Sequence, residues 1–317
     1  MANIYSLDQI RQVSDSMDFS ADIAAGFVAH SRGEVVTPPV GELVFDDPPG
    51  DTHIKYGYIK QDAYFVIKIA SGFYQNPQLG ISSSSGLMLV FSQKTGVLDS
   101  VLLDEGYLTN VRTAVAGQIA ASQLAPKVVD CIGVFGTGTM ARMQVQYLKS
   151  VTDCSRVTVW GRSESSLAAY AADMRREGYE VMTTRVPDEV TSSCNLIVMT
   201  TPSNQPLVDS SQIRAGTHIT AMGSDTAEKQ ELDSGILANA DIVVTDSLAQ
   251  CQDRGEIHHA LRSGQIDLNK VVELGQVISD DVDLRRNGDE ISVADLTGVA
   301  VQDIQIAKAV CAALAND

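Results

Sequence analysis

Apolar and polar residues alternate with the period of a β-strand in the first part of this chain. In YFVIKIAS, Val66 and Lys68 fall on one face, and Ile67 and Ile69 fall on the other. GLMLVFSQKTGVLDSVLL predicts two further strands joined by a turn at residues 94–96. The pattern indicates an antiparallel sheet with one half-exposed face.

A long helical pattern follows this sheet. The segment TNVRTAVAGQIAASQLA predicts a helix that begins near Thr109, with Thr109 as its N-cap and Pro126 just beyond its end.

From residue 128 onward, compact apolar runs alternate with helical patterns. VVDCIGVF, RVTVW, CNLIVM, HITAMG, ADIVVT and KVVELG predict strands, and this alternation is typical of a parallel, doubly wound sheet. The final segment VADLTGVAVQDIQIAKAVCAALAND predicts a terminal helix that packs back on the first domain. The chain is therefore expected to be an α/β protein.

Size and charge exclude several classes of protein. The 317 residues suggest two domains at about 150 residues each, and 44% of them are apolar. A net charge of −17 disfavours binding to nucleic acid or to an anionic membrane. The sequence lacks a signal peptide and an apolar run of the ~20 residues that cross a bilayer, so we expect a cytoplasmic protein.

Cysteine and histidine residues give no sign of a metal site. The five cysteines are scattered without a C-x-x-C pair. His258 and His259 are neighbours on a predicted helix, where their side chains diverge by about 100°, and we interpret them as surface residues. His30 and His218 fit structural roles.

Gly136-x-Gly138-x-x-Ala141 is the strongest single motif, because it follows a predicted strand and opens a helix. Gly136 allows a tight turn, Gly138 lets the backbone approach a pyrophosphate, and Ala141 keeps the helix close to the sheet. The motif predicts a dinucleotide site; the alternative is a packing turn in another doubly wound fold.

The end of the second strand bears on the choice of cofactor. Trp160-Gly161-Arg162-Ser163 stands where an NAD enzyme usually has an acid that binds the ribose hydroxyls. Arg162 and Ser163 suit a 2′-phosphate, so the sequence leans weakly to NADP; alternatively, Arg162 is a solvated loop charge and NAD is accepted. Thr200-Thr201-Pro202 ends the third strand, near the expected nicotinamide-side ribose.

Three charged residues are candidates for chemistry. Asp225 follows a predicted strand and suits proton exchange with a substrate nitrogen, or else it caps a helix in TAEKQEL. Lys68 lies mid-strand between isoleucines, where an ammonium is costly to bury without an anion, unless it reaches the solvent. Arg112 suits a bidentate carboxylate, although a phosphate or a structural ion pair would also satisfy it.

Taken together, these segments resemble the ornithine cyclodeaminase/μ-crystallin family over nearly the full chain. The matching pieces are FVIKIASGFYQNP, LLDEGYLTNVRTAVAG, GVFGTGTMA, ITAMGSDTAEKQEL and LTGVAVQDIQIAKAV. The resemblance implies an NAD(P)-dependent homodimer or larger assembly. It also implies a Rossmann domain at residues 128–298 and an α+β substrate-binding and dimerisation domain formed by residues 1–127 and 299–317.

Residue roles carry over from the resemblance by motif. Lys68 and Arg112 should hold the substrate carboxylate or polarise the reacting group, and Asp225 should be the acid/base. The cofactor-binding positions are expected to be Gly136, Thr137, Gly138, Thr139, Met140, Gly161, Arg162, Ser163, Thr200, Thr201, Pro202, Met222, Gly223, Ser224 and Gly298.

One departure from the family pattern affects substrate binding. The family commonly has an arginine after the Pro-rich stretch, where this chain has Val40 and Gly41. His53 and Lys55, on one predicted strand face, are the nearest cations that could bind a carboxylate in its place. With this departure the chain resembles the branch that contains ectoine-utilisation proteins and iminosuccinate reductases.

Three functions are compatible with the sequence. The first is an imine reductase that makes an L-amino acid from a small 2-imino acid, with iminosuccinate as the specific prediction. The second is a cyclodeaminase that uses NAD catalytically and releases ammonia; Glu42 or Asp51 would then meet the cationic end of its substrate. The third is a non-catalytic, NADPH-binding or small-molecule-binding protein like the μ-crystallins.

Overall fold

A computed structural model of the chain describes residues 2–73, 75–280, 284–285 and 287–316. The chain divides into two compact units, Met1–Thr113 with Val299–Asp317, and Ala114–Gly298. The sequence pattern changes at residue 128, whereas the first structural boundary falls inside a helix. This difference arises because the first two turns of that helix belong to the first unit.

The first unit contains a seven-stranded sheet in the order β1-β7-β6-β5-β4-β2, with β3 also paired to β4. The strands are β1 (Asn3–Tyr5), β2 (Val35–Val36), β3 (Gly41–Asp46), β4 (Pro49–Ile59), β5 (Tyr64–Phe73), β6 (Ser84–Ser92) and β7 (Leu98–Leu102). All neighbours pair antiparallel except β1 and β7. The predicted antiparallel sheet is thus confirmed.

The helices α1 (Leu7–Ser14), α2 (Ser20–Ser31) and α10 (Ala300–Leu314) belong to the same unit. Helix α10 packs against α2, β4 and β5, and it buries Val301, Ile304 and Ala307. It begins at Ala300, later than expected, because residues 292–295 form a strand of the second unit instead.

Helix α3 (Tyr107–Leu124) begins before the predicted cap. The carboxylate Oδ2 of Asp104 accepts the N–H of Leu108 at 2.8 Å, and the Asp104 carbonyl accepts the N–H of Tyr107 at 2.8 Å. Asp104 therefore satisfies amides of the first turn, and the prediction of Thr109 as the N-cap is wrong.

The second unit is built on an eight-stranded parallel sheet in the order β10-β9-β8-β11-β13-β17-β15-β16. Its strands are β8 (Ile132–Phe135), β9 (Arg156–Trp160), β10 (Glu180–Thr184), β11 (Leu196–Met199), β13 (His218–Ala221), β15 (Ile242–Thr245), β16 (Val271–Glu273) and β17 (Ser292–Asp295). A separate pair joins β12 (Asn204–Val208) to β14 (Gln230–Leu232). The predicted doubly wound sheet is confirmed, and its strand order reverses between β8 and β11.

Six helices connect these strands in the part of the second unit that the structure describes. They are α4 (Thr139–Tyr147), α5 (Glu164–Arg176), α6 (Pro187–Ser193), α7 (Ser234–Asn239), α8 (Glu256–Arg262) and α9 (Leu274–Asp280). The segment after Asp225 is a loop that leads into β14, so the alternative of Asp225 as a helix cap is wrong. Across the described residues, every helix is too short or too polar to span a bilayer.

Candidate active site

A cavity of about 260 Å³ opens at the carboxyl ends of β8, β9 and β11. This is the edge and the reversal point at which doubly wound sheets bind their ligands. Eight of the predicted cofactor residues line it, namely Gly136, Thr137, Gly138, Gly161, Arg162, Thr200, Thr201 and Pro202. Trp160, Ser203 and Leu207 complete the lining.

The turn after β8 requires glycine at its first position. Gly136 has a φ of +115°, and a Cβ there would lie 2.6 Å from Thr200 Oγ1. That hydroxyl is fixed, because it donates to the carbonyl of Phe135 at 2.8 Å. A side chain at position 136 would therefore push the ends of β8 and β11 apart.

Gly138 presents the amino end of helix α4 to the cavity. It is the N-cap residue without a side-chain cap, and open space surrounds the position of its missing Cβ. Thr139 and Met140 form the first turn, so their amides are free of a capping side chain. This geometry fits a pyrophosphate, which binds to helix N-terminal amides with close backbone approach.

The end of β9 contributes a cation to the cavity wall. Arg162 is exposed and lines the cavity, and the lining holds no Asp or Glu among the described residues. Gly161 lets this wall close, because a Cβ there would lie 2.8 Å from Thr137 Cγ2. Ser163 is the N-cap of α5, where its hydroxyl accepts the N–H of Ser166 at 3.5 Å.

The loop after β13 carries the predicted acid/base. Asp225 Oδ1 lies 2.7 Å from Lys229 Nζ, and the Asp225 carboxylate is about one-third exposed. The Ser224 hydroxyl donates to the Lys229 carbonyl, and Arg254 Nη1 donates to the Asp225 carbonyl at 3.1 Å. Sequence reasoning missed Lys229, although its i+4 spacing from Asp225 was a usable signal.

Gly298 and Met222 stand at the same carboxyl edge of the sheet. Gly298 has a φ of +80°, and its N–H donates to Asp246 Oδ2 at 2.6 Å. The N–H of Met222 donates to the Met199 carbonyl at 3.2 Å, and this bond joins the ends of β11 and β13.

The first unit holds a separate cluster of buried cations. Lys55 on β4 pairs directly with Lys68 on β5, so their side chains emerge as neighbours on the covered face of the sheet. Both residues are buried. Lys68 Nζ lies 3.6 Å from Asp303 Oδ2, so Lys68 does not reach the solvent.

Arg112 joins this cluster through helix α10. Its Nε lies 3.0 Å from Asp303 Oδ1, and its Nη1 donates to Gln302 Oε1 at 2.7 Å. Asp303 therefore stands between Lys68 and Arg112. Sequence reasoning missed Gln302 and Asp303, whose signal was a polar pair within the apolar face of VAVQDIQIA.

Hydrogen-bonding capacity is left unused in this cluster. Within the described residues, Gln302 Nε2 and Asp104 Oδ1 are buried side-chain atoms without a hydrogen-bond partner. Burial raises the pKa of Asp104, and the nearby Lys68 ammonium opposes that rise. Because buried polar atoms are normally paired, these atoms indicate a site for a polar ligand.

His53 lies on the same strand face as Lys55 and is also buried. Its Nε2 is 2.8 Å from Glu42 Oε1, and the two residues pair across β3 and β4. The sheet face thus presents Lys55, Lys68 and His53, with the Glu42 carboxylate next to His53, and Arg112 joins the cluster from helix α3.

The other histidines have structural surroundings. His218 is buried between the hydroxyls of Ser292 and Thr220, and burial lowers its pKa to about 3. His258 is also buried, with Nδ1 2.7 Å from the Gln252 carbonyl, so the expectation of a surface position is wrong. The described ranges hold no group of three His, Cys, Asp or Glu side chains arranged for a metal ion.

A larger cavity, of about 800 Å³, lies at the amino edge of the parallel sheet. Residues that precede strands line it, such as Asp130, Asn195 and Gly216. Ligands in this architecture bind at the opposite edge, so we place the cofactor in the smaller, glycine-lined cavity.

A parallel sheet with a glycine-lined cavity at its reversal point defines the class of dinucleotide-binding Rossmann proteins. The chain belongs to the ornithine cyclodeaminase/mu-crystallin family, whose model matches residues 3–316.

Three similar proteins illustrate this membership. An uncharacterized cyclodeaminase of Sinorhizobium fredii is 38% identical over 86% of this chain and 83% of its own. An archaeal alanine dehydrogenase dimer, solved with bound NAD, is 30% identical with a TM-score of 0.89, over 99% of this chain and 96% of its own.

The third is the iminosuccinate reductase of Paracoccus denitrificans, 33% identical over 76% of this chain and 74% of its own. Its structure with NAD⁺ has a TM-score of 0.86 and covers 99% of this chain and 97% of that one. With these relatives and this cavity, the chain is an NAD(P)-dependent oxidoreductase.

Proposed function

We propose that this protein is an NAD(P)H-dependent imine reductase that converts a small 2-imino acid into an L-amino acid. The specific substrate we propose is iminosuccinate, which yields L-aspartate. The observation that carries the proposal is the buried cluster of Lys55, Lys68 and Arg112 in the first unit.

The charge of this face suits a substrate with two carboxylates. Burying ammonium and guanidinium groups is costly unless anions join them. Lys68 and Arg112, both held by Asp303, would bind the carboxylate beside the imine carbon. Lys55 and His53, two residues apart on β4, would bind the second carboxylate.

Gln302 supports this assignment. Its Oε1 is occupied by Arg112, and this bond fixes the amide so that Nε2 is the donor left over. A donor beside the Arg112 guanidinium suits a carboxylate oxygen, which would give Nε2 its missing partner.

The reduction requires a hydride on the imine carbon and a proton on its nitrogen. The nicotinamide ring supplies the hydride when the cofactor is bound. Asp225 relays the proton to the nitrogen, and the Lys229 ammonium, 2.7 Å from Asp225 Oδ1, resupplies it. Lys55, Lys68, Arg112 and His53 bind and orient the substrate.

Arg162 favours NADPH over NADH. It is an exposed guanidinium in a cavity wall where no described residue is acidic. The solved relatives with NAD support a nicotinamide cofactor in general. We expect a modest preference for NADPH.

The protein would act as a homodimer. The outer face of the first unit's sheet is apolar, with Phe65 and Phe91 stacked at 4.8 Å and Tyr56 and Tyr58 exposed beside them. Such a face suits a second copy. Residues 1–127 with 299–317 would form the substrate-binding and dimerisation domain, and residues 128–298 would form the cofactor domain. Light scattering should give twice the chain mass, and Tyr58→Asp should lower it; a monomeric wild type would contradict this.

An absorbance assay near 340 nm tests the reaction. Purified protein is mixed with NADPH or NADH, ammonia, and either oxaloacetate, pyruvate or glyoxylate. We expect the fastest cofactor oxidation with oxaloacetate and ammonia, and L-aspartate as the product. Absence of cofactor oxidation with every 2-oxo acid would refute the reductase, and tight cofactor binding without turnover would indicate a binding protein.

A cyclodeaminase is the second candidate, because the face also carries an acidic group. Glu42, paired with His53, could meet the cationic end of ornithine or a related diamine. This function predicts ammonia release from ornithine with NAD⁺ and without accumulation of reduced cofactor. Ornithine is therefore included in the same assay.

A further inference from the structure

One buried carboxyl joins two loops at the cofactor edge of the second unit. Glu231, on β14, is fully buried. Its Oε1 accepts the Thr201 N–H at 2.6 Å and the Thr201 hydroxyl at 2.7 Å. Its Oε2 accepts the Gly223 N–H at 2.9 Å. Thr201 follows β11 and Gly223 follows β13, so Glu231 bridges the ends of two adjacent strands.

The two loops are packed so closely that only glycine fits at position 223. A Cβ on Gly223 would lie 2.6 Å from the Thr201 amide nitrogen and would collide with Glu231 Oε2. The carboxyl, the threonine and the glycine therefore form one rigid junction. Movement of any one of them moves the others.

We infer that Glu231 is a positioning residue that fixes the cofactor wall at Thr201 and the loop that carries Asp225. Thr201 lines the dinucleotide cavity, and Asp225 lies two residues beyond Gly223. The role in cofactor binding is independent of the reaction proposed above. The role in turnover rests on that proposed reaction, through Asp225.

The surroundings of Glu231 fit a positioning role rather than a chemical one. Three donors occupy its oxygens, and burial raises its pKa to about 8. Glu256 lies behind it and accepts the N–H groups of Glu231 at 2.7 Å and Leu232 at 3.1 Å. Glu256 is equally buried but holds only the backbone of β14, so it provides a matched control.

The test compares Glu231→Gln with Glu256→Gln. Above pH 8 the Glu231 carboxylate accepts at both oxygens. Measured there, the amide that Glu231→Gln introduces offers one acceptor fewer and sets a donor against an N–H group, so the junction should loosen. Trp160 is the sole tryptophan of the sequence and lines the cavity, so its fluorescence reports NADH or NADPH binding. Cofactor Kd, kcat and thermal midpoint are measured for both variants and the wild type.

We expect Glu231→Gln to weaken cofactor binding about tenfold and to lower kcat by at least as much. Glu256→Gln should have a thermal midpoint similar to that of Glu231→Gln. Its cofactor Kd should lie within about twofold of the wild-type value. Wild-type Kd and kcat in Glu231→Gln would overturn the inference, and so would equal losses in both variants. A wild type that binds NADH but reduces no imine would refute the proposed reaction, and the Kd comparison would still decide the role of Glu231.

A second pair keeps the test decisive if Glu231→Gln does not fold. Thr201→Val removes only the hydroxyl bond to Glu231, and Thr220→Val removes a buried hydroxyl on β13 that bonds His218 instead. We expect a threefold to fivefold weaker Kd, roughly the effect of one neutral hydrogen bond, for Thr201→Val alone. Equal Kd values in the two valine variants would overturn the inference.

Discussion

Each unit buries a cluster of charged side chains, and the hydrogen bonding of the two clusters differs. The first unit buries Lys55, Lys68 and Arg112, and buried side-chain atoms near them have unused hydrogen-bonding capacity. The second unit buries Glu231 and Glu256, whose oxygens accept backbone N–H groups of the same unit. Buried charged groups whose hydrogen bonds are all made within the fold have a structural role. Buried charged groups with unpaired polar atoms near them indicate a ligand site.

Removing Lys68 should give the largest effect. We expect Lys68→Met to lower kcat/KM for the imino acid about 1,000-fold, because the substrate loses a buried charge partner. The fold should persist, since Asp303 keeps Arg112 at 3.0 Å. Lys60→Met, which removes an exposed lysine bonded to the Gly33 carbonyl, is the control. Near-normal kinetics in Lys68→Met, measured by steady-state assay, would refute the assignment.

Asp225→Asn should come next. An amide cannot supply the proton, so kcat should fall about 100-fold while cofactor Kd stays unchanged. The matched control is Asp233→Asn, because Asp233 only caps the N-terminus of α7. If Asp225→Asn keeps wild-type kcat, another group delivers the proton.

The buried acids of the second unit predict a pH effect on stability. Burial raises the pKa of Glu231 to about 8 and that of Asp295 to about 7, so the folded protein keeps protons that the unfolded chain releases. This stabilisation is full below the ordinary carboxyl pKa and is lost as pH rises through 7 to 8. The free energy of unfolding in urea should fall by about 1–2 kcal/mol per group between pH 6.5 and 8.5.

Glu231→Gln should flatten part of that pH dependence, since it removes one of the buried carboxyls whose pKa is raised. The lowered pKa of His218, about 3, does not interfere, because its contribution is lost only as pH falls below about 6.5. The same pH dependence in the wild type and in Glu231→Gln would contradict the raised pKa of Glu231.

The smallest effect concerns cofactor choice. Arg162→Ala should raise KM for NADPH about fivefold and leave KM for NADH unchanged, because only NADPH carries the 2′-phosphate. Arg176→Ala, on the exposed side of α5, controls for general charge loss. Equal changes for both cofactors would show that Arg162 is a solvated loop charge.

Local patterns predicted much of this architecture. Strand alternation placed His53 and Lys55 on one face of their strand, and the glycine spacing located the dinucleotide turn. Both are properties of short segments, so the sequence reveals them directly. Strand β17 was not predicted, because its four residues lie shortly before α10 and their apolar pattern was interpreted as part of that helix.

Long-range partners could not be predicted in the same way. Asp303 contacts Arg112, although the two residues are 191 positions apart in the sequence. Glu231 contacts Thr201 and lies in a three-residue strand, and the pattern of its segment TAEKQEL also fits a helix. Such pairs depend on how the elements are packed, which no periodicity encodes. The polar residues that organise the candidate site were therefore missed, whereas its candidate ligand-binding residues could be proposed from local patterns.

The most direct test of the contrast between the units is substrate charge preference in Lys55→Met. The quantity measured is the ratio of kcat/KM for oxaloacetate over pyruvate, each with ammonia. If Lys55 binds a second carboxylate, the wild type favours oxaloacetate at least tenfold and Lys55→Met brings the ratio close to one. A ratio that Lys55→Met leaves unchanged would show that the buried cations of the first unit are scaffold after all.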